Sequence, residues 1–127
     1  MKKGIFPNGI KPIAPYSPGV LMGSMLFISG QIAINPDTGQ LVMDNIENET
    51  HQVMKNLMQV LNEAGFEVKD LVKTTIFMTD MSYYEAINRV YEQYLKGLEV
   101  YPAREAVAVK ALPRNVNVEI SAIALKN

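Results

Sequence analysis

The spacing of apolar and polar positions changes from stretch to stretch along this chain, and each spacing predicts an element. Val20-Leu21-Met22 and Met25-Leu26-Phe27-Ile28-Ser29 are apolar runs separated by Gly23-Ser24, the pattern of a hairpin. The second run is nearly all apolar and is expected to be buried on both faces. It ends in Ser29-Gly30-Gln31, after which Ile32-Ala33-Ile34 continues extended and Asn35-Pro36-Asp37-Thr38-Gly39 turns. The spacing then becomes three or four. Ile46, Thr50, Val53, Leu57, Leu61 and Ala64 share one helical face, widened by Met54 and Met58. Asp44 with Glu47 predicts a capping box at its start, and Gly65 a cap at its end. Leu71–Met78 is rich in β-branched residues and predicts a strand. Ser82 with Glu85 predicts a second capping box. The helix it opens carries Tyr84, Ile87, Tyr91, Tyr94 and Leu95 inward and stops at Gly97. A final pair of strands, Glu105–Lys110 and Asn117–Ala124, is joined by Leu112-Pro113-Arg114-Asn115.

This order predicts an α+β fold with both helices packed on one face of a mixed sheet. Phe27, Ile28, Ile76, Phe77 and the last strands supply apolar residues to both sides of that sheet. With no third layer in the chain, self-association is the expected cover for the second face. Residues 1–19 hold Pro7, Pro12, Pro15 and Pro18 with Gly4, Gly9 and Gly19, and are read as an extended arm.

Composition narrows the chemistry. At 127 residues the chain is expected to be one domain, 1–127, large enough for a real core. The net charge is −1 with both signs mixed along the chain, which gives no footprint for nucleic acid or an anionic membrane. There is no cysteine, so disulfides, thiolate metal sites and cysteine nucleophiles are excluded. His51 is the one histidine, so multi-histidine metal sites are not expected. Two lysines near the start precede no apolar run of signal-peptide length, and a cytoplasmic protein is expected.

A few polar residues stand at positions where chemistry is expected. In Tyr101-Pro102-Ala103-Arg104-Glu105, proline fixes the backbone just before an arginine that opens an apolar β run. A planar guanidinium at a strand mouth suits a carboxylate or phosphate; the plain alternative is a solvated charge or half of an ion pair. Tyr16 either pins the arm to the core or holds a phenol at a cleft. Ser29 and Gly30 end a buried strand, as a bulge or as a place where backbone comes close to a ligand. Asn88 interrupts an apolar helix face, where leaving it unpaired costs about 1–3 kcal/mol. Alternation puts Glu119 on the face opposite Val118 and Ile120. His51, with no partner ligand, is read as structural.

Together these stretches resemble the RidA (YjgF) family of imine and enamine deaminases. The resemblance rests on Ala14-Pro15-Tyr16 with Gly19-Val20, Ser29-Gly30-Gln31-Ile32, and Asn35-Pro36 with Thr38-Gly39. Further pieces are Lys73-Thr74-Thr75, Pro102-Ala103-Arg104, Leu112-Pro113, and Val118-Glu119-Ile120 with Ala122-Ile123-Ala124. They run in the family's order and cover essentially the whole chain. The resemblance implies a chorismate-mutase-like fold, and a homotrimer with a barrel-like centre and three clefts between subunits. It implies hydrolysis of 2-aminoacrylate and related 2-imino acids to 2-keto acids and ammonia, with no cofactor. It casts Arg104, Glu119 and Tyr16 as catalytic, and Ser29, Gly30, Asn88 and Arg104 as substrate-binding. Where the best-known pattern has Ser-Cys after the arginine, this chain has Glu105-Ala106. Alternation predicts that Glu105 points away from the face used by Arg104. The rival reading is a binding module that senses keto acids through Arg104 without turning them over.

Overall fold

The computed structural model describes residues 1–127. Six strands form one mixed sheet: β1 (Lys3–Ile5), β2 (Gly19–Met22), β3 (Met25–Gln31), β4 (Leu71–Met78), β5 (Ala103–Ala108) and β6 (Val118–Leu125). Helix α1 (Ile46–Glu63) precedes β4, and α2 (Tyr84–Tyr94) lies between β4 and β5. The spatial order is β1-β2-β3-β6-β4-β5. All neighbours are antiparallel except β4 and β5, which run parallel and are joined through α2. A parallel pair needs such a crossover, because a tight turn reverses the chain.

The α+β expectation holds, with local corrections. The last two strands are not a pair, since β4 lies between β5 and β6. The N-terminal arm contains a strand, because Lys3–Ile5 pairs with β2 and Ile5 is buried. Its proline-rich neighbours hid three residues whose backbone is free to pair. The two helix starts also differ. Asn45, not Asp44, caps α1, its Oδ1 accepting from the Asn48 N–H at 2.8 Å. Asp80 caps the turn before α2 by accepting from the Ser82 N–H, and Tyr83 precedes the helix with no side-chain cap.

The buried stripe of α1 is Thr50, Val53, Met54, Leu57, Val60 and Leu61. Fully burying each leucine stabilises the fold by about 2 kcal/mol. At its end Gly65 takes φ +79°, and the Phe66 and Gly65 N–H groups donate to Leu61 and Asn62. That is a Schellman stop, which favours glycine because the left-handed conformation crowds a Cβ. The core lies between α1, α2 and one sheet face. Leu26, Ile28, Ile76, Met78, Val118, Ile120, Ala122 and Ala124 fill that face.

The other face is open. Phe27 opposes Ile123, Met25 opposes Leu125, and Glu119, Phe77 and Val107 form one row across three strands. Phe27 is 42% exposed and Val107 41%. So β3 alternates instead of being buried on both sides, because nothing in the chain covers its second face. No helix is long and apolar enough to cross a membrane.

Candidate functional site

Arg104 lies on β5 opposite Thr74, on the helix-covered face. Two residues of α2 hold its fork. One terminal nitrogen donates to Asn88 Oδ1 at 2.6 Å and the other to the Tyr84 hydroxyl at 3.0 Å. Tyr84 and Asn88 are four apart, so they stand one above the other on the same helix face. The guanidinium also lies 5.3 Å from the centroid of the Tyr91 ring and 5.7 Å from that of Tyr84. The Tyr91 phenol bonds Thr74 at 2.7 Å; burial pushes its pKa up, partly offset by that bond and by the Arg104 cation. Asn88 therefore does find a partner, and it is the arginine.

No carboxylate pairs with Arg104. Its nearest acid in sequence, Glu105, points to the other face and bonds Lys73 at 2.7 Å. Arg104 opens into a cavity of about 390 Å³ with Asn88, Tyr91, Leu95, Tyr101 and Pro102 in its wall. Glu92 borders that cavity without forming an ion pair with the arginine. A rigid, half-buried cation without its own counterion is suited to bind a small carboxylate.

The other predicted residues gather elsewhere. Tyr16, Ser29, Gly30 and Glu119 line a second cavity of about 670 Å³, with Pro113 and Arg114 in the same wall. Tyr16 is 55% exposed, so it does not pin the arm to the core. Between Ile28 and Gln31 strand β3 has one residue more than β6, a bulge at Ser29-Gly30. The Ser29 hydroxyl donates to the Ser17 carbonyl at 2.6 Å, tying the arm to the bulge. Gly30 leaves the space into which Glu119 folds: a Cβ there would lie 2.6 Å from the Glu119 carboxyl carbon. Burial raises the Glu119 pKa above its ordinary value, and the carboxylate has no ion-pair partner.

Arg104 and Glu119 do not meet within one chain. Glu119 shares a row with Phe77 and Val107, and Arg104 is three residues from Val107 along β5. An odd separation on a strand means opposite faces. The candidate residues thus form two separate groups: a cation cradled by α2, and an acid with a tyrosine over a β-bulge.

His51 is structural, as expected: its Nδ1 lies 3.0 Å from the Tyr94 hydroxyl and links α1 to α2. No three His, Cys, Asp or Glu side chains stand together as a metal cluster. Sequence reasoning missed three residues. Tyr84 reads as core by its spacing, yet its hydroxyl reaches Arg104. Glu49 is 0% exposed, its carboxylate accepting from the backbone N–H groups of Asn117 and Val118 and from the Asn117 amide. Arg114 takes φ +57°, a conformation that costs an ordinary L-residue about 1–2 kcal/mol.

Comparison with known proteins gives the family and the fold. A RutC family protein of Pyrococcus horikoshii is 44% identical over 127 residues, 99% of either chain. The human 2-iminobutanoate/2-iminopropanoate deaminase is 40% identical, over 90% of this chain and 82% of its own length. A Rid family protein of Yersinia pestis, YyfA, has the same fold with a TM-score of 0.93 at 44% identity, covering 99% of this chain and 100% of its own. The structure of Escherichia coli TdcF with bound serine superposes with a TM-score of 0.91 at 36% identity, covering 98% and 99%. A family model described as Endoribonuclease L-PSP matches residues 6–126. The chain belongs to that family, the RidA (YjgF) family.

Proposed function

We propose that this protein hydrolyses 2-aminoacrylate and related 2-imino acids to 2-keto acids and ammonia, in clefts between the subunits of a homotrimer. The observation that carries this reading is the half-buried Arg104 fork, fixed by Asn88 and Tyr84 and lacking a carboxylate of its own. Human and mouse relatives named as deaminases of this class support it. So does TdcF, whose bound serine presents the same carboxylate beside a nitrogen-bearing carbon. The trimer is supported by the uncovered apolar sheet face and by the separation of the two groups of candidate residues.

In each cleft Arg104 of one copy grips the substrate carboxylate with parallel charge-assisted bonds, each worth roughly 1.5–3 kcal/mol. That fixes the imine carbon over Glu119 and the Ser29-Gly30 bulge of the neighbouring copy. Glu119 takes a proton from a water molecule as its oxygen bonds to that carbon, and the C=N electron pair collects on nitrogen. The nitrogen is protonated, the C–N bond breaks, and ammonia leaves as the hydroxyl proton is lost and the carbonyl forms. With an enamine, C3 is protonated first, a proton assigned in this reading to Tyr16, which lines the same cavity as Glu119. An imine is already electrophilic, so position and an oriented water suffice. With a net charge of −1, the chain offers little counterion release to an RNA backbone, which argues against nuclease action.

The test couples a serine or threonine dehydratase to this protein and follows decay of the enamine and imine absorbance. Wild type accelerates the decay; Arg104→Ala abolishes the acceleration; Glu119→Gln slows it while the protein stays folded. No acceleration by wild type with several imino acids would sink the reading, and keto-acid binding at Arg104 would then mark a sensor.

A further inference from the structure

The chain makes the same tight turn twice and builds it from different residues. Pro7-Asn8-Gly9-Ile10 closes with Ile10 N–H on the Pro7 carbonyl at 3.2 Å, with φ +57° and +68° at its centre. Pro113-Arg114-Asn115-Val116 closes with Val116 N–H on the Pro113 carbonyl at 3.4 Å, with φ +57° and +58°. Two central left-handed residues make this a type I′ turn, whose preferred pair is Asn-Gly. The first turn has that pair. The second has arginine at the first central position, where a Cβ without asparagine's local hydrogen bonding strains the backbone. A strained non-glycine residue held in the wall of a cavity points to a function for its side chain.

Arg114 lines the cavity of Tyr16, Ser29, Gly30 and Glu119, is exposed, and has no ion-pair partner. Lys11 lines the same cavity with its ammonium 5.9 Å from the Phe6 ring centroid, so the wall carries two cations and one carboxylate. The cavity, at about 670 Å³, is far larger than a three-carbon imino acid needs. The turn also directly precedes β6, which carries Glu119.

We propose that Arg114 is a specificity-determining residue that receives a second carboxylate, carried on the side chain of the 2-imino acid. This rests on the deaminase reading for the substrate class, because carboxylate is the anionic group that ordinary amino-acid side chains offer at neutral pH. The first carboxylate belongs to Arg104 and the second to Arg114, with the imine carbon between them at Glu119. Such substrates arise by oxidation of dicarboxylic amino acids at the amine, a different supply reaction from β-elimination of water.

The test is calorimetric titration with two stable keto products, 2-oxoglutarate and 2-oxobutanoate, using wild type, Arg114→Asn and Arg114→Glu. Wild type is expected to bind the dicarboxylate at least about tenfold more tightly. Arg114→Asn is expected to reduce that preference to within about twofold, with a melting temperature at or above wild type because asparagine suits the turn. Arg114→Glu reverses the preference. Equal binding of the two acids by wild type, or a preference intact in Arg114→Asn, overturns the proposal. Imine turnover is measured beside it: its absence in wild type removes the deaminase reading, while the binding preference still decides the role of Arg114.

Discussion

Arg104 and Glu119 point away from each other through one sheet: the guanidinium lies under α2 and the carboxylate over the opposite face. A small substrate touching both must bridge two copies of the chain. Arg104→Ala is expected to be inactive in the imine-decay assay, and Glu119→Gln far slower than wild type. Unfolded together in equal amounts and refolded, they are expected to regain about one quarter of wild-type activity, since random mixing pairs an intact arginine with an intact acid that often. Activity that stays absent in the refolded mixture would place the whole site within one chain.

With Glu119 as the proposed base, its ionisation sets the acid limb of the pH profile. As a base it works ionised, and burial raises its pKa above the ordinary 4.5. The rate kcat/KM is therefore expected to fall with decreasing pH at a midpoint above that of a solvated glutamate. The same shift gives a stability sign. A raised carboxylate pKa means that the ionised form opposes folding above that pKa, so Glu119→Gln is expected to melt at or above wild type at neutral pH. A limb at or below 4.5 would show that another group limits the reaction.

Gly30 gives Glu119 its place. In Gly30→Ala the new methyl meets the glutamate side chain, 2.6 Å from its carboxyl carbon, and the acid must move. Displacement by about 1 Å costs on the order of a hundredfold in rate. A stopped-flow comparison should show kcat falling while KM, set largely by Arg104, changes little. Wild-type kcat in this variant would mean that Glu119 tolerates displacement, which a general base does not.

Glu49 acts at a distance from the chemistry. Its buried carboxylate takes three N–H bonds from Asn117 and Val118, just before Glu119. Glu49→Ala leaves those donors unpaired and is expected to lower the stability by about 3 kcal/mol in urea titrations. Glu49→Gln keeps one acceptor and should lose less. An unchanged urea midpoint in Glu49→Ala would mean that water replaces the carboxylate.

What the sequence displayed and what it hid follow from the range of the interactions. Helix α1 was legible because Val53, Leu57 and Leu61 repeat at helical spacing and Gly65 stops them. Strand β6 was legible from its alternation. The direction in which Glu105 turns was legible for the same reason. Strand β1 was not, because Lys3-Gly4-Ile5 is too short to show a period and takes its pairing from β2. The partners of β5 were hidden too, since parallel pairing through α2 leaves no local turn signal. The cap at Asn45 differs from the expected Asp44 by one residue, within the reach of either side chain. Tyr84 was assigned to the core because a tyrosine's ring and hydroxyl carry different messages and only the ring shows in a periodicity. The candidate residues themselves were named from the sequence. Their division between two faces depends on register, which the sequence does not print.

On the proposed reading, that division makes catalysis a matter of dilution. A site assembled from two faces of two copies exists only at concentrations where the copies remain together, so specific activity is expected to drop below the dissociation constant of the assembly. In the proposed assembly the exposed Phe27 and Val107 then govern dose as well as shape. A cell that lowers the amount of such an assembly is then expected to lose turnover more steeply than it loses chains.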